Sequence, residues 1–441
     1  NETRSGIQMR VLILTSLFHP EIAANAKRMT HLAEELKRKG HEVSVVTAFP
    51  YYSATVDREK YRRKWIVREQ YEGIPVIRTY TYCPKRYRSF ASRILCFLSF
   101  MVSSIFGAHR VKGKVDVVLT ISPPFFSLFS GYIISRIKRA SWVIDIQDIY
   151  PETLVALGFL KNRIAIGLLE RCERFFYRKA AGIVGISEGF KRDFVQKGAV
   201  PEKASVVPNW VDTDLFSHVQ TNGLRQEYGL DGRFVVMFVG TMGFAQGLEH
   251  VVDAGRLIAS QEPSIQFVFL GEGVEKAQLQ RRVEEYGLSN FTFIPRKPNS
   301  EIPAFLAMAD VCLVHLRWNR LYEITIPCKT YEYLAAGKPV IMGVKGEALH
   351  LVEEAGCGVG IEPESPEDLA STILTMCRDR SRLARMGQLA GKCATERFSK
   401  DVVLSQYVGY LESYNGGGKP PISDHHTMSH VVEPCHMEML K

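Results

Sequence analysis

Short apolar runs alternate with amphipathic stretches along most of the chain. RVLILTSLF (Arg10 to Phe18) is apolar almost throughout, as a strand covered on both faces would be. From about Ala26 to Lys39 the period lengthens, which sets Met29, Leu32, Ala33 and Leu36 on one helical face, and Gly40-His41 closes the helix. EVSVVTAF then returns to a strand. The same β-α-β unit recurs as strand VDVVLTIS, helix FFSLFSGYIISRI and strand SWVIDIQ. After Val206 the alternation restarts: strand RFVVMFVG, helix Leu248 to Ser260, strand IQFVFLGEG, helix Val274 to Tyr286. Strand FTFIP, helix Glu301 to Ala309 and strand VCLVHL continue it. Apolar strands alternating with helices predict parallel sheets covered on both faces. The expected fold is therefore α/β, two doubly wound Rossmann-like domains in succession.

The pattern sets the expected boundaries at 9–206 for the first domain and 207–398 for the second. A final helix, 399–414, is expected to return toward the first domain. Residues 415–441, with the run Gly416-Gly417-Gly418-Lys419-Pro420-Pro421, read as a disordered or appended tail. Met9, at the start of the first strand, reads as the native start, with residues 1–8 outside the fold. A length of 441 residues supports two domains. With 46% hydrophobic and 23% charged residues, disordered and fibrous classes are excluded. The net charge of +9 favours an anionic partner, whether nucleic acid, phospholipid or a diphosphate. No basic-aromatic module accompanies it, so nucleic acid is not expected. Nine cysteines without a CxxC pair suggest neither a zinc site nor a disulfide framework, and fit a reducing compartment.

Phe90 to Ala108 stands apart. ILCFLSFMVSSIFGA is apolar nearly all round but too short for a bilayer, which needs about 20 residues. Lys85, Arg86, Tyr87, Arg88 and Arg93 precede or open it. A buried core helix and an element dipping into an anionic membrane surface both fit.

Ligands of such sheets bind beyond the carboxyl ends of the strands, where helix N-termini point. Four segments in the second half qualify. Gly240 to Gly247 joins a strand to a helix, with Gly243 and Gln246 as candidate ligands, and reads equally as a tight turn. Gly271-Glu272-Gly273 closes the next strand, and Arg296 sits in the loop after FTFIP, where a base could be held. The fourth is LYEITIPCKTYEYLAAGKPVI, Leu321 to Ile341. Glu332 lies within its apolar run TYEYLAAG, where a solvated charge is least expected, and ribose hydroxyls would satisfy a buried carboxylate. Lys329, with Thr330 beside it, could neutralise a diphosphate at the same helix end, and Glu323 lies upstream. An exposed Glu and Lys on an outer face remains the plain alternative. In the first half Asp145, Asp148 and Glu152 fall at the end of strand SWVIDIQ, and His19 follows the first strand. These are candidates for the second substrate, and helix capping fits Asp148 or Glu152 as well.

In this order the residues resemble the family-4 retaining glycosyltransferases of the two-Rossmann-domain GT-B fold. VVPNWVDTDLF resembles the family's domain-junction motif, Glu323 and Glu332 its paired glutamates, and YEYLAAGKPVI the helix and strand that follow. ISPPFFSLFSGY, IDIQDIYPE, ISEGFKRDFVQKG, GTMGFAQGLE and IPCKTYEYLAAGKPV are similar to a bacterial subgroup that builds surface polysaccharides, including N-acetyl-L-fucosamine transferases. The resemblance implies a UDP-sugar bound by the second domain and a polyprenyl-diphosphate-linked acceptor bound by the first. It implies transfer with retention, work at the inner face of the cytoplasmic membrane, and no metal or other cofactor. Three departures stand out. The glycine loop offers Thr241 and Gln246 where family members carry Arg and Lys, so Lys329, helped by Arg317 or Arg320, must supply the charge. Glu323 and Glu332 are one residue further apart than usual. Gln147-Asp148 stands where a donor-contacting His is usual, so Asp148 is placed at the reacting centre with Lys329 and Glu323. A UDP-sugar epimerase of the same fold and an inactive membrane-associated assembly subunit are the competing readings.

Overall fold

The computed structural model describes residues 8–51, 58–83, 90–156, 158, 160–217, 219 and 223–414. The chain divides into two compact units. One holds the described residues up to Ile186, then Phe190–Val207 and those from Leu404 onward; the other holds Ser187–Gly189 and Pro208–Val403. The pattern break expected at Val206 thus lies beside the division at Val207. The expected tail, 415–441, and the basic run Lys85 to Arg88 lie outside the described residues.

The first unit is built on strands β1 (Arg10–Leu14), β2 (Glu42–Ala48), β3 (Ile66–Tyr71), β4 (Ile74–Thr79), β5 (Val117–Ser122), β6 (Ser141–Ile146), β7 (Gly182–Gly185) and β8 (Ala204–Val206). Their order is β3-β4-β2-β1-β5-β6-β7-β8, parallel throughout except β3 against β4. Helices α1 (Ala24–Arg38), α2 (Phe90–Ala108), α3 (Ser127–Lys138), α4 (Glu152–Ala156), α5 (Arg163–Lys179) and α6 (Glu188–Gln196) follow in sequence. The hairpin β3–β4, turning at Glu72-Gly73, is not foreshadowed by the apolar pattern. Its outer strand, IVREQY, is polar and part-exposed because it has a neighbour on only one side. The first strand is also shorter than its apolar run, since Thr15 to Phe18 belong to the loop after it.

The second unit contains β9 (Phe234–Val239), β10 (Ile265–Leu270), β11 (Phe291–Ile294), β12 (Val311–His315), β13 (Val340–Gly343) and β14 (Gly358–Gly360), all parallel in the order β11-β10-β9-β12-β13-β14. Its helices are α7 (Leu224–Glu227), α8 (Leu248–Ala259), α9 (Lys276–Glu285), α10 (Ile302–Ala307), α11 (Cys328–Ala335), α12 (Glu347–Glu354), α13 (Pro366–Arg378) and α14 (Arg380–Cys393). Helix α15 (Lys400–Glu412) runs from this unit into the first. β9 shows why both faces must be apolar. Val235, Met237 and Val239 enter one core layer, Phe234, Val236 and Phe238 the other, and none is more than 7% exposed. The strand order turns back between β9 and β12 here, and between β1 and β5 in the first unit. Loops at the carboxyl ends of these strands therefore splay apart and leave room for a ligand.

Among the described residues no helix is long and apolar enough to cross a membrane. α2 is apolar on both sides but not buried on both. Cys96 and Phe100 sit in the core, whereas Leu95 and Phe106 are open to solvent.

Candidate functional site

At the switch point of the second sheet the glycine loop after β9 meets the loop after β10. Gly240 and Gly271 have φ of 141° and 147°, and a β-carbon on Gly271 would collide with the Gly240 carbonyl. The amide of Gly240 donates to Leu270 O at 2.9 Å and that of Met242 to Glu272 O at 2.9 Å, so the two loops form one backbone surface. Gly243, with φ of −121° and only an ordinary van der Waals contact to Thr241 at 3.8 Å from its missing β-carbon, is not a position that demands glycine.

α11 starts beside this surface. Its N-terminus follows Pro327 and carries no side-chain cap, so the positive end of the helix dipole stands there without a capping side chain. The hydroxyl of Tyr333, buried, accepts from Val239 N at 2.8 Å and so pins the helix to the end of β9. That bond sets Lys329 over the glycine loop. Its Nζ donates to Gln246 Oε1 at 3.1 Å, lies 3.7 Å from the Phe238 ring centroid, and stands 3.1 Å from where a β-carbon on Gly240 would be. The side chain is half-buried but crowded by protein. Burial pushes its ammonium down to about 7, while the Glu332 carboxylate pulls the other way.

The helical period corrects two expectations. Thr330, Tyr331, Tyr333 and Leu334 are buried, and Glu332 faces the opposite way and is exposed. Glu332 is therefore not a buried carboxylate in need of donors; it lies one turn from Lys329 on the open face. Thr330 has no exposed surface, and its hydroxyl finds no hydrogen-bond partner among the described residues. It is a packing residue here, not an open donor ligand. Glu323 occupies a 3₁₀ turn, Tyr322–Ile324, half-buried, with its backbone carbonyl directly against Gly346. Arg296 is exposed at the end of β11, and its backbone amide supports the Glu272 carboxylate across the loops.

A supporting network went unread in the sequence. His315, the last residue of β12, is buried, which holds its imidazole below the usual range. Its Nδ1 meets Gln246 O at 2.7 Å and its Nε2 meets the amide of Glu364 at 3.2 Å. A carbonyl only accepts and an amide only donates, so the ring is neutral with its proton on Nδ1. It fixes the backbone that presents Gln246 to Lys329. Arg317 pairs with Glu249 and, at 3.4 Å, with Glu364, and its Nε donates to Phe244 O at 2.8 Å. Its charge is committed to holding the loop, which overturns its expected part in meeting a diphosphate. A histidine ending an otherwise apolar strand is the signal that marked this network.

In the first unit only some of the expected carboxylates are open. Asp148 is exposed just past β6, yet surrounding protein desolvates it and pushes its carboxyl up to about 6. Asp145 is fully buried: Arg28 Nε at 3.1 Å, Tyr407 Oη at 2.8 Å and the Gln147 amide engage it. It ties β6 to α1 and the final helix, and it offers no surface to an acceptor. Glu152 pairs with Lys197 at 2.8 Å in a cluster with Glu173 and Asp193, which makes it part of an internal ion network. His19 is exposed but stacks on Tyr71 of the outer hairpin, with ring centroids 4.3 Å apart. Of the expected first-unit residues, Asp148 is the one left with an open carboxylate at the strand end.

Residues 25–210 match the glycosyl transferase 4-like domain, and residues 221–392 match the glycosyl transferases group 1 domain. WcaI of Escherichia coli (strain K12), a glycosyl transferase named for colanic acid biosynthesis, is 29% identical over 91% of this chain and 99% of its own. WbjE of Pseudomonas aeruginosa, named as a glycosyltransferase, is 26% identical over 74% of this chain and 82% of its own. Among solved structures, Anabaena HepE in complex with UDP superposes with a TM-score of 0.68 at 21% identity, over 92% of this chain and all of that one. WaaG, a glycosyltransferase involved in lipopolysaccharide biosynthesis, gives 0.61 at 17% identity, over 92% and all of the two chains. At these identities the structural likeness is one of fold.

Proposed function

We propose, on the premise that the chain is a glycosyltransferase of the GT-B class, that it moves a sugar from a UDP-sugar to a polyprenyl-diphosphate-linked acceptor with retention of anomeric configuration. The sugar is an N-acetylated amino or deoxyamino hexose, the product a precursor of bacterial surface polysaccharide, and the place the inner face of the cytoplasmic membrane. WcaI, named for colanic acid biosynthesis, and the UDP held by HepE support this reading.

The observation that carries it is the lysine over the glycine loop. Lys329, the N-terminal end of α11 and the backbone of Gly240 to Gly243 converge where a diphosphate would lie, at the switch point of the sheet. In the ligand-free protein the lysine has a neutral amide oxygen and an aromatic ring as company. A diphosphate there would restore its charge and replace the Gln246 contact with a stronger, charge-assisted one. Glu332, exposed one turn along, is positioned for ribose hydroxyls.

The reaction exchanges two bonds at the anomeric carbon. The bond to the β-phosphate oxygen breaks as the bond to the acceptor oxygen forms on the same face. The acceptor proton passes to the departing phosphate, so no side-chain base is required. Lys329 and the loop amides stabilise the negative charge that grows on UDP, electrostatic help that is strongest in a desolvated site. Asp148 and Glu323 are assigned to the reaction as well, and no metal takes part.

A panel of UDP-sugars assayed with polyprenyl-diphosphate-GlcNAc tests the proposal, with Lys329→Ala and Glu332→Ala beside the parent. Transfer from one UDP-sugar, lost in both variants and insensitive to EDTA, is expected. Full turnover in both variants would remove the site assignment, and interconversion of a UDP-sugar without acceptor would replace the transferase by an epimerase.

A further inference from the structure

We infer that a groove at the amino edge of the first sheet, between the outer hairpin and the segment after α2, is a binding site for a phosphate ester of nucleotide size. This site goes beyond the function proposed above and does not rest on it.

The groove has a volume of about 670 Å³ and runs along Glu42 to Ser44, where β2 begins, and Ile74 to Ile77 in β4. Asp148 follows the carboxyl end of β6, on the opposite edge of the same parallel sheet. A ligand in the groove therefore leaves that edge open.

Its walls are held in place by the fold. On one side is the edge strand β3, whose Arg68 and Gln70 pair with Ile77 and Pro75 and so share their face of the sheet. On the other side the chain leaves α2 in a tight turn. The Arg110 amide donates to Gly107 O at 2.9 Å, and Lys138 Nζ donates to Val111 O at 2.7 Å. Arg68 spans the two walls, its Nη2 donating to Arg110 O at 3.4 Å. These two arginines are therefore brought together before a ligand arrives, which lowers the ordering cost of binding.

Charge selects the occupant. The two carboxylates among the lining residues are neutralised by cations that do not line the groove. Glu42 pairs with Arg10 at 2.9 Å, and Glu69, turned to the other face of β3, meets Arg78 and Lys60 at 2.6 Å each. His41 is neutral, because its Nδ1 accepts the Met9 amide at 3.3 Å and its Nε2 is left to donate to Glu412. Lys37 belongs to the last turn of α1, where a cation meets the helix dipole, and donates to the Glu72 carbonyl. Arg68, Arg110 and Lys112 remain, all exposed and none ion-paired with a described residue. Three cations exceed what one carboxylate can neutralise, whereas phosphate groups carry more than one charge each at neutral pH. Guanidinium forks also match phosphate oxygens in pairs. A bare phosphate would fill only part of the volume. Pro75 and Ile77 offer the rest of an ester an apolar floor, with Gln70 and Ser44 beside it as hydrogen-bonding groups.

Calorimetric titration of the full chain with inorganic triphosphate and with ATP, at low salt and without divalent metal, tests this. The titrations use Lys329→Met, which keeps the proposed donor site out of the reading. One binding event is expected, with ATP held at least as tightly as triphosphate. Adding Arg68→Gln/Arg110→Gln should weaken it by at least about tenfold, and adding Lys112→Gln alone by a smaller factor. Circular dichroism and a melting temperature equal to those of Lys329→Met would show that these surface variants are folded. No binding to Lys329→Met, or equal affinity after Arg68→Gln/Arg110→Gln is added, would overturn the inference. ATP held more weakly than triphosphate would overturn the fit to a nucleotide-sized ester. Because the titration needs neither sugar transfer nor UDP, binding here without transferase activity would remove the proposed function and leave this site standing.

Discussion

The amine of Lys329 donates to Oε1 of Gln246 across 3.1 Å and lies 3.7 Å from the centroid of the Phe238 ring. A lysine so placed is a poor neighbour for the empty protein and a good one for a phosphate. Its folded-state pKa of about 7 lies below the unfolded value, so the unfolded chain binds more protons between those two values. The penalty is full below pH 7 and fades as pH rises toward the unfolded pKa. Lys329→Met is therefore expected to raise the melting temperature of the ligand-free protein at pH 7. The parent should gain stability from pH 7 to 9.5 relative to this variant. Thermal melts at several pH values read both effects, and a variant less stable than the parent at pH 7 would contradict them.

Asp148 supplies a second pH dependence, read in activity rather than stability. Desolvation holds its carboxyl up at about 6, so the carboxylate is lost as pH falls through that value. If the charged form orients the reacting partners, kcat/KM declines below about pH 6. Asp148→Asn should remove most of the rate and flatten that acidic limb. A variant with the parent's profile would take Asp148 out of the reacting centre.

Removing one member of the buried Arg28–Asp145 pair should cost stability. Arg28 also donates to Val207 O at 3.0 Å, so the pair joins α1, β6, the end of the first unit's β8 segment and the final helix. Arg28→Met leaves Asp145 charged and short of a donor, at an expected cost of about 3–5 kcal/mol. Denaturant titration measures it, and a loss under about 1 kcal/mol would show that the pair is not a tie.

Gly271→Ala tests the contact between the two loops. A methyl group there meets the Gly240 carbonyl, and φ of 147° is strained for alanine, so the loops must separate. Weaker UDP binding with an otherwise folded protein is expected from calorimetry and circular dichroism together. Unchanged binding would mean that the glycine surface does not hold the nucleotide.

Much of the architecture was legible because a parallel strand buried on both faces writes a continuous apolar run, as in FVVMFV of β9. The hairpin β3–β4 was not, because its outer strand answers to solvent on one side and mixes Arg, Glu and Gln with its apolar residues. At the site, Lys329 could be placed from its position at the start of α11. Glu332 was misjudged because an apolar run of letters looks buried all round, whereas one residue in each helical turn still faces out. Asp145 looked like a ligand at a strand end since its partners are invisible locally: Arg28 is 117 residues away and Tyr407 is 262. His315 was missed for the same reason, its acceptor Gln246 lying 69 residues earlier.

The central claim is that Lys329 and the glycine loop hold a nucleotide diphosphate, and isothermal titration of UDP into the parent and Lys329→Met tests it most directly. One charge-assisted contact to phosphate is worth about 1.5–3 kcal/mol, so the account predicts affinity weakened by roughly 10- to 150-fold in the variant. It also predicts proton uptake on binding to the parent near pH 8, seen as a dependence of the heat on buffer. Equal affinity of parent and variant for UDP would contradict the account.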